Sequence, residues 1–305
     1  MNQSNRCVVI ISLFLFVHFL SASFTFAKNV KVLTWNVQML PSKWSFLSKE
    51  LQKKQQLRTQ WILSYIQQND FDILFFQEAF DAHFLKVLSD SLAAQYPYRI
   101  APHQGGGVKL SNGLWTLSKF PITDLAHITY EAKSYPDLFA AKGAQLLCAE
   151  VETQKIFFIN THLQADDAKA KHASIRQRQL LQIKTQLITP YIHASDALIC
   201  TGDYNIAAAS EEHRHLKDIL GLHDIIADFK MQLPTFSSKN YWNKGQEVAQ
   251  RLDYFLSNLI ALWPLKESIQ LHTPSVNYKG QTIDMADHYG LAMSFELADA
   301  LARNP

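Results

Sequence analysis

Apolar and polar positions follow two rhythms along the chain. Short apolar runs of strand length, bounded by turn residues, occur at 30–35 (VKVLTW), 71–76 (FDILFF), 113–117, 144–151, 155–160 and 197–200 (ALIC). Between them apolar residues recur at helical spacing. Leu57, Trp61, Ile62, Tyr65 and Ile66 predict an amphipathic helix over 50–68, and further helices are expected over 82–94, 174–188 and 211–220. In the third of these, Leu180, Ile183, Leu187 and Tyr191 mark one face, with Pro190 as the stop. The stretch 122–160 reads mainly as β, with a hairpin joining 144–151 to 155–160. Beyond 205 the chain is more polar, with a loop over 233–245 and strands at 251–256 and 290–295. No internal repeat or linker interrupts the alternation, which predicts one α/β domain over 28–305.

The ends of the apolar runs carry the chemistry. Asn36, Glu78, His162, Asp203 and Asn205 each stand at or just past the C-terminal end of a run, and strands in one layer bring such ends together. Asp253 lies within RLDY, and Asp287-His288 immediately precedes the last strand. Taken singly, each residue has an ordinary structural reading: Glu78 as a helix cap, His162 as a hydrogen-bonded core histidine, Asp253 as the partner of Arg251, Asp287 as a cap. Taken together they make an oxygen-rich set with two histidines and no Ser, Cys or Lys nucleophile beside a base. Such donors suit a hard cation, Mg²⁺ with Mn²⁺ or Ca²⁺ as alternatives, and argue against a zinc site built from Cys and His. Phosphate ester hydrolysis fits this set: the cation offsets phosphoryl charge, a His with a carboxylate partner, here His288 and Asp253, deprotonates water, and amides bond the non-bridging oxygens.

Other candidates fall away. Gly105-Gly106-Gly107 lacks the Gly-Lys-Ser/Thr ending of a nucleotide loop. His213 and His215 stand two apart on a helix and face different ways, so both are expected at the surface. Cys148 and Cys200 sit in apolar runs and read as buried core residues, with a disulfide as the lesser alternative. At the N-terminus, Arg6, the apolar run 8–20 and the small residues ending at Ala27 form the pattern of a secretory signal peptide over 1–27. The expected mature protein is therefore secreted or periplasmic. Net charge is +2, or +1 once Arg6 leaves with the leader, which provides no basic footprint for a general nucleic-acid binder.

The segments LTWNVQML, FFQEAFD, NTHLQADD, TGDYN, RLDYFL and ADHYG, in that order, resemble the motif set of the endonuclease/exonuclease/phosphatase superfamily. Within it the chain is most similar to bacterial secreted neutral sphingomyelinases, through Asn36-Val37-x-Met39-Leu40, Glu78-x-Phe80-Asp81, Thr161–Asp167 and Lys142-Gly143. The resemblance implies a four-layered α/β sandwich of two packed mixed sheets flanked by helices, with a cleft at one edge. It implies Glu78 as the main metal ligand with Asn36 nearby, His288 oriented by Asp253 as general base, and Asp203 and Asn205 organising water and phosphate. His162 would stabilise the transition state or protonate the leaving group, Asp287 would support His162 or the metal, and Lys142 would contact phosphate. Whether Asp203 or His288 takes the water proton stays open. The implied activity is Mg²⁺-dependent hydrolysis of sphingomyelin to ceramide and phosphocholine by a monomer at a bilayer surface. The alternatives are a nuclease or inositol-phosphate phosphoesterase of the same fold, and a catalytically silent binding module. One departure concerns 275–285, SVNYKGQTIDM, which lacks the aromatic hairpin tip of haemolytic relatives. Tyr241 and Trp242 are its candidate substitutes, with ordinary packing as the other reading.

Overall fold

A computed structural model describes residues 29–41, 49–107, 109–135, 137–167, 171–227, 231–258 and 268–296, so the leader expected over 1–27 lies outside the described residues. The chain runs β1 (Asn29–Met39), α1 (Lys49–Gln68), β2 (Ile73–Ala79), α2 (Ala82–Ser91), β3 (Tyr98–Ile100), β4 (Trp115–Ser118), β5 (Ile122–Thr129), β6 (Gly143–Val151) and β7 (Gln154–His162). It continues with α3 (Ala173–Ile183), α4 (Thr189–Tyr191), β8 (Ala197–Asp203), α5 (Glu211–Leu220), β9 (His223–Asp224), β10 (Phe236–Ser237), β11 (Ala249–Gln250) and β12 (Asp253–Ser257). It closes with β13 (Ile269–His272), β14 (Ser275–Tyr278), β15 (Gln281–Asp284) and β16 (Gly290–Glu296).

Two six-stranded mixed sheets stack face to face, with strand orders β13-β16-β1-β2-β4-β3 and β5-β6-β7-β8-β12-β9. Both are built on the same plan: a central parallel pair joined through a helix, β1–α1–β2 in one and β7–α3–β8 in the other. Val32, Ile73, Phe75, Leu147, Phe158 and Ile199 fill the space between the sheets. Helices α1 and α2 cover the outer face of the first sheet over Leu33, Phe76 and Trp115, while α3 and α5 cover the second over Ile159, Cys200 and Leu256. These are the four layers the motif set implies. Central strands read as continuous apolar runs because both of their faces are buried, as in β8, where every residue is.

Several expectations shift in detail. The buried stripe of α1 is Gln55, Arg58, Thr59, Ile62, Leu63 and Ile66, one position round from the predicted face, so Leu57, Trp61 and Tyr65 flank it. The third helix does not stop at 188. It widens into a π-helical turn at Lys184–Ile188 and resumes as α4, which carries Pro190. The 269–284 region, which no apolar periodicity marks, forms β13 and the β14–β15 hairpin. Its strands are mostly polar, and its turn is Lys279-Gly280, both at positive φ, rather than the usual Asn-Gly or Asp-Gly signal. Cys148 on β6 and Cys200 on β8 are free and buried, with β7 between them. His213, expected at the surface, is buried and bonded to Asp224, whereas His215 is half exposed.

Candidate active site

The two parallel pairs bring the C-terminal ends of β1, β2, β7 and β8 to one edge of the sandwich, where β12 and β16 begin. Ligands collect at such carboxyl ends in open α/β sheets. Register then sets neighbours: His162 of β7 lies opposite Asp203 of β8, which in turn lies opposite Asp253 of β12. Gly202 makes the first of these contacts possible. Its φ is +128°, and a Cβ there would sit 2.0 Å from the Thr161 carbonyl oxygen, so only glycine lets β7 and β8 close beside the site. Three residues of the cleft wall, Gln38, Glu78 and Asn205, take left-handed backbone at φ 46°, 55° and 51° without being glycine.

Asn36 is the centre of the polar network. Its Nδ2 donates to Asp203 Oδ2 at 2.9 Å and to Glu78 Oε1 at 3.2 Å, while its Oδ1 accepts from the Gln38 amide. His162 Nε2 lies 3.3 Å from Asp203 Oδ2 and 4.0 Å from Glu78 Oε1. Lys142 Nζ, 2.9 Å away, and Asn205 Nδ2, at 3.1 Å, both point at the same nitrogen. With Nε2 accepting, the ring hydrogen is on Nδ1, which has no partner. On the other flank His288 Nδ1 is 2.9 Å from Asp253 Oδ2, and its Nε2 lies 3.7 Å from Asp203 Oδ2. One oxygen of Asp203 thus stands between two imidazoles.

Burial and charge give the two histidines opposite character. His162 is pushed well below its ordinary pKa by burial, then by Lys142 and His288, and is neutral. Burial also opposes charge on His288, but Asp253, Asp203 and Asp287 outweigh it and hold that imidazole well above its ordinary value. The acids are pushed up as well. Burial, with Asp253 nearby, raises Asp203 to about 6, and burial with Glu78 nearby raises Asp287 to about 6. Glu78 is raised by burial, against the pull of Lys142 and of its Asn36 hydrogen bond.

These shifts answer whether the residues suit a cation. Glu78 and Asp203 converge on a single amide donor, one oxygen each of Asp253 and Asp287 is buried with no hydrogen-bond partner, and Lys142 already pairs with Asp137 at 2.8 Å. The cleft holds more negative charge than its own cations balance, and its open donors are oxygens, which fits a hard divalent ion. Ligand atoms of Asp203, Asp253 and His288 also lie within 4.8 Å of one another. Asp253 and the His288 nitrogen facing it are committed to each other, so the open oxygen donors lie on the Glu78 side.

The structure brings all nine sequence-derived residues to this edge, with three adjustments. Asn36 turns its NH₂, not its carbonyl, toward the carboxylates. Asp287 does not meet His162: it accepts from Gln38 Nε2 at 2.7 Å and lies near Glu78 and Arg58. Lys142 is buried between Asp137 and His162, so it acts on the cleft through His162. Two ordinary readings also fail. The cap of α2 is Asp81, which accepts from Phe84 N, not Glu78; and Arg251 pairs with Asp224 at 2.6 Å, leaving Asp253 to His288. Tyr241 and Trp242 pack rather than project: Trp242 Nε1 donates to the Asp284 carbonyl, and Arg58 lies over the Trp242 ring.

Supporting residues had no motif to announce them. Trp35 Nε1 donates to the His288 carbonyl at 3.0 Å, Asn243 Nδ2 to Asp287 O and Asn240 Nδ2 to Ala286 O, each at 2.8 Å, and Arg58 Nε to Met285 O at 2.6 Å. Four side chains from three distant segments therefore fix the loop that presents Asp287 and His288. The one available signal was in α1, where Gln55, Arg58 and Thr59 continue the spacing of Ile62, Leu63 and Ile66 with polar residues.

Two stacked sheets with acids, amides and histidines at their joined strand ends define a class. Residues 33–276 match the Endonuclease/Exonuclease/phosphatase family, to which the chain belongs. Among its relatives, Sphingomyelinase C 2 of Leptospira interrogans is 26% identical over 292 residues, covering 86% of this chain and 46% of that one. The chain spans about half the length of the Leptospira relatives it matches. Sphingomyelinase C from Streptomyces griseocarneus superposes with a TM-score of 0.69 at 20% identity, over 88% of this chain and 100% of that one. A Staphylococcus aureus beta toxin mutant with bound magnesium ions gives 0.66 at 19% identity, over 88% and 100%. At these identities the superpositions establish the fold.

Proposed function

We propose that this protein is a divalent-metal-dependent phosphodiesterase that hydrolyses sphingomyelin to ceramide and phosphocholine at a bilayer surface. The observation that carries the reading is Asp203 Oδ2 standing between His162 and His288, with Asn36 and Glu78 alongside. In this reading Glu78 holds the cation, Mg²⁺ by donor chemistry, with Asn36 beside it. When bound, the cation offsets charge on the phosphoryl oxygens and lowers the negative potential that holds His288 protonated.

The protein groups divide the remaining work. Asp203 orients the attacking water, and His288, steadied by Asp253, takes its proton on Nε2, the nitrogen turned to the cleft. Asn205 and Asn36 exchange their internal hydrogen bonds for bonds to the non-bridging oxygens. His162 lies beside Asp203 and, with Nε2 accepting from Lys142 and Asn205, holds those two donors toward the leaving-oxygen side rather than donating a proton itself.

The lipid substrate is supported by the names of the relatives and by the surface beside Lys142. Tyr135, Leu138 and Phe139 are 62%, 49% and 61% exposed there, on the segment whose Asp137 pairs with Lys142, and they form an apolar rim suited to lipid contact. Near-neutral net charge gives a nucleic-acid substrate no comparable support. Among the described residues no helix is long and apolar enough to cross a membrane. The test is phosphocholine release from sphingomyelin vesicles, with Mg²⁺ and with chelator. Release with Mg²⁺ alone is expected, and no release with Mg²⁺, Mn²⁺ or Ca²⁺ overturns the reading.

A further inference from the structure

A second group of potential ligands lies away from the cleft, on the long side of the sandwich where edge strands β3 and β5 of the two sheets meet. Asp124 and His127 are three apart on β5, which in a regular strand puts them on opposite faces. A bulge prevents this. β5 slips by one residue against β6 between Asp124 and Ala126, so Asp124 pairs with Leu147 and His127 with Gln145, two positions apart on β6 and therefore on one face. Leu147 belongs to the inter-sheet core, so that face looks toward the first sheet. From there His103, just beyond β3, completes the group.

The geometry converges. His103 Nε2 is 2.5 Å from Asp124 Oδ2, and the His103 and His127 rings stack at 3.5 Å between centroids with 15° between planes. One ligand atom from each of the three residues lies within 4.8 Å of the others. Asp124 Oδ1 is buried with no hydrogen-bond partner, although its side chain stands at an edge where water is near. His103 is anchored from behind, its backbone exchanging hydrogen bonds with Asn112 at 3.0 and 2.8 Å.

We propose that His103, Asp124 and His127 bind a borderline divalent cation, Zn²⁺ above all, as a clip between the edges of the two sheets. Two imidazoles and one carboxylate with a fourth position open to solvent are a three-ligand zinc set, unlike the oxygen donors of the cleft. Bonds of about 2.0–2.1 Å in a tetrahedron separate ligand atoms by about 3.3 Å, so the His103–Asp124 contact need open by less than about 1 Å. The clip closes a long loop, and by linkage a cation bound only to the folded chain raises its stability.

The test must separate this site from the cleft, where His288 stands with Asp203 and Asp253. The full chain carrying His288→Ala, with Mg²⁺ in excess, is dialysed against Zn²⁺ and the bound zinc is counted. One zinc per chain and a rise in Tm with Zn²⁺ are expected. Adding His127→Asn or His103→Asn to the same background should abolish both, whereas adding His193→Asn, at an exposed pair with Asp196, should abolish neither. Because His127 is exposed, its replacement leaves the packing intact, and the His103 variant provides an independent check. No zinc on His288→Ala, or undiminished zinc on both clip variants, overturns the proposal. The single variants His127→Asn and His103→Asn are expected to keep wild-type phosphodiesterase turnover in Mg²⁺, so a failed clip and a failed activity assignment remain distinguishable.

Discussion

His213–Asp224 and His288–Asp253 are nearly the same object set in two regions. The contacts are 2.8 and 2.9 Å, and in both the imidazole is 6% and the carboxylate 0% exposed. Their surroundings separate them. Asp224 also receives both terminal nitrogens of Arg251, at 2.6 and 3.3 Å, and the amide of Ile226 at 3.0 Å. His213 uses its other nitrogen to accept from Ala209 N and stacks on Tyr254. Every valence there is filled. In the cleft, Asp253 Oδ1 has no partner, and the free nitrogen of His288 faces a second carboxylate instead of a donor. A buried histidine–aspartate pair is therefore no marker of chemistry. What marks the cleft is charge left unbalanced and a nitrogen left open.

The difference is best tested by breaking each pair. His288→Ala should lower phosphodiester turnover of the folded fraction by about 100- to 10,000-fold, the usual scale of a general base, in addition to the stability cost of leaving Asp253 without its partner; a retained rate would transfer the role to Asp203. Arg251→Met should cost stability alone. With its cation gone Asp224 is left buried and underpaired, at a cost of about 3–5 kcal/mol in urea unfolding, while the folded fraction turns over normally. His213→Ala is milder, about 1–3 kcal/mol for one lost buried hydrogen bond, again without effect on turnover. A shift in activity with either variant would collapse the distinction.

Acid offers the finest contrast. Burial works to raise Asp224, but His213 and Arg251 hold it below its ordinary 3.8, so below that pH the unfolded chain takes up a proton the native state refuses. Stability from this pair is complete above 3.8 and declines as pH falls toward the folded value. Asp224→Asn should flatten the pH slope of unfolding free energy in that window.

How far the sequence reveals this contrast depends on the residue. Glu78, His162 and Asp203 were legible because a buried strand is a largely apolar run, so the polar residues just past it announce a strand end. The parallel pairs then carry those ends to one edge. His213 was misjudged because helical spacing tells which residues share a face but not what covers it, and its cover, Asp224 on β9, follows only after the turn. The spacing in α1 marks Arg58 as a buried position but not what it holds: its partners are main-chain carbonyls of Val37, Gln38 and Met285, and carbonyls leave no mark in a sequence. The bulge at Leu125 was hidden too, since pairing register is a property of two strands at once.

The left-handed backbone at Gln38, Glu78 and Asn205 bears on how such a molecule would decay. Glycine relieves that conformation, by about 1 kcal/mol or more per position, and asparagine tolerates it better than most residues. Selection for endurance alone would thus move Gln38 and Glu78 toward glycine and leave Asn205 longest. A related chain with glycine at those two positions and asparagine at the third would be more robust and catalytically silent, and could be recognised as such before any assay.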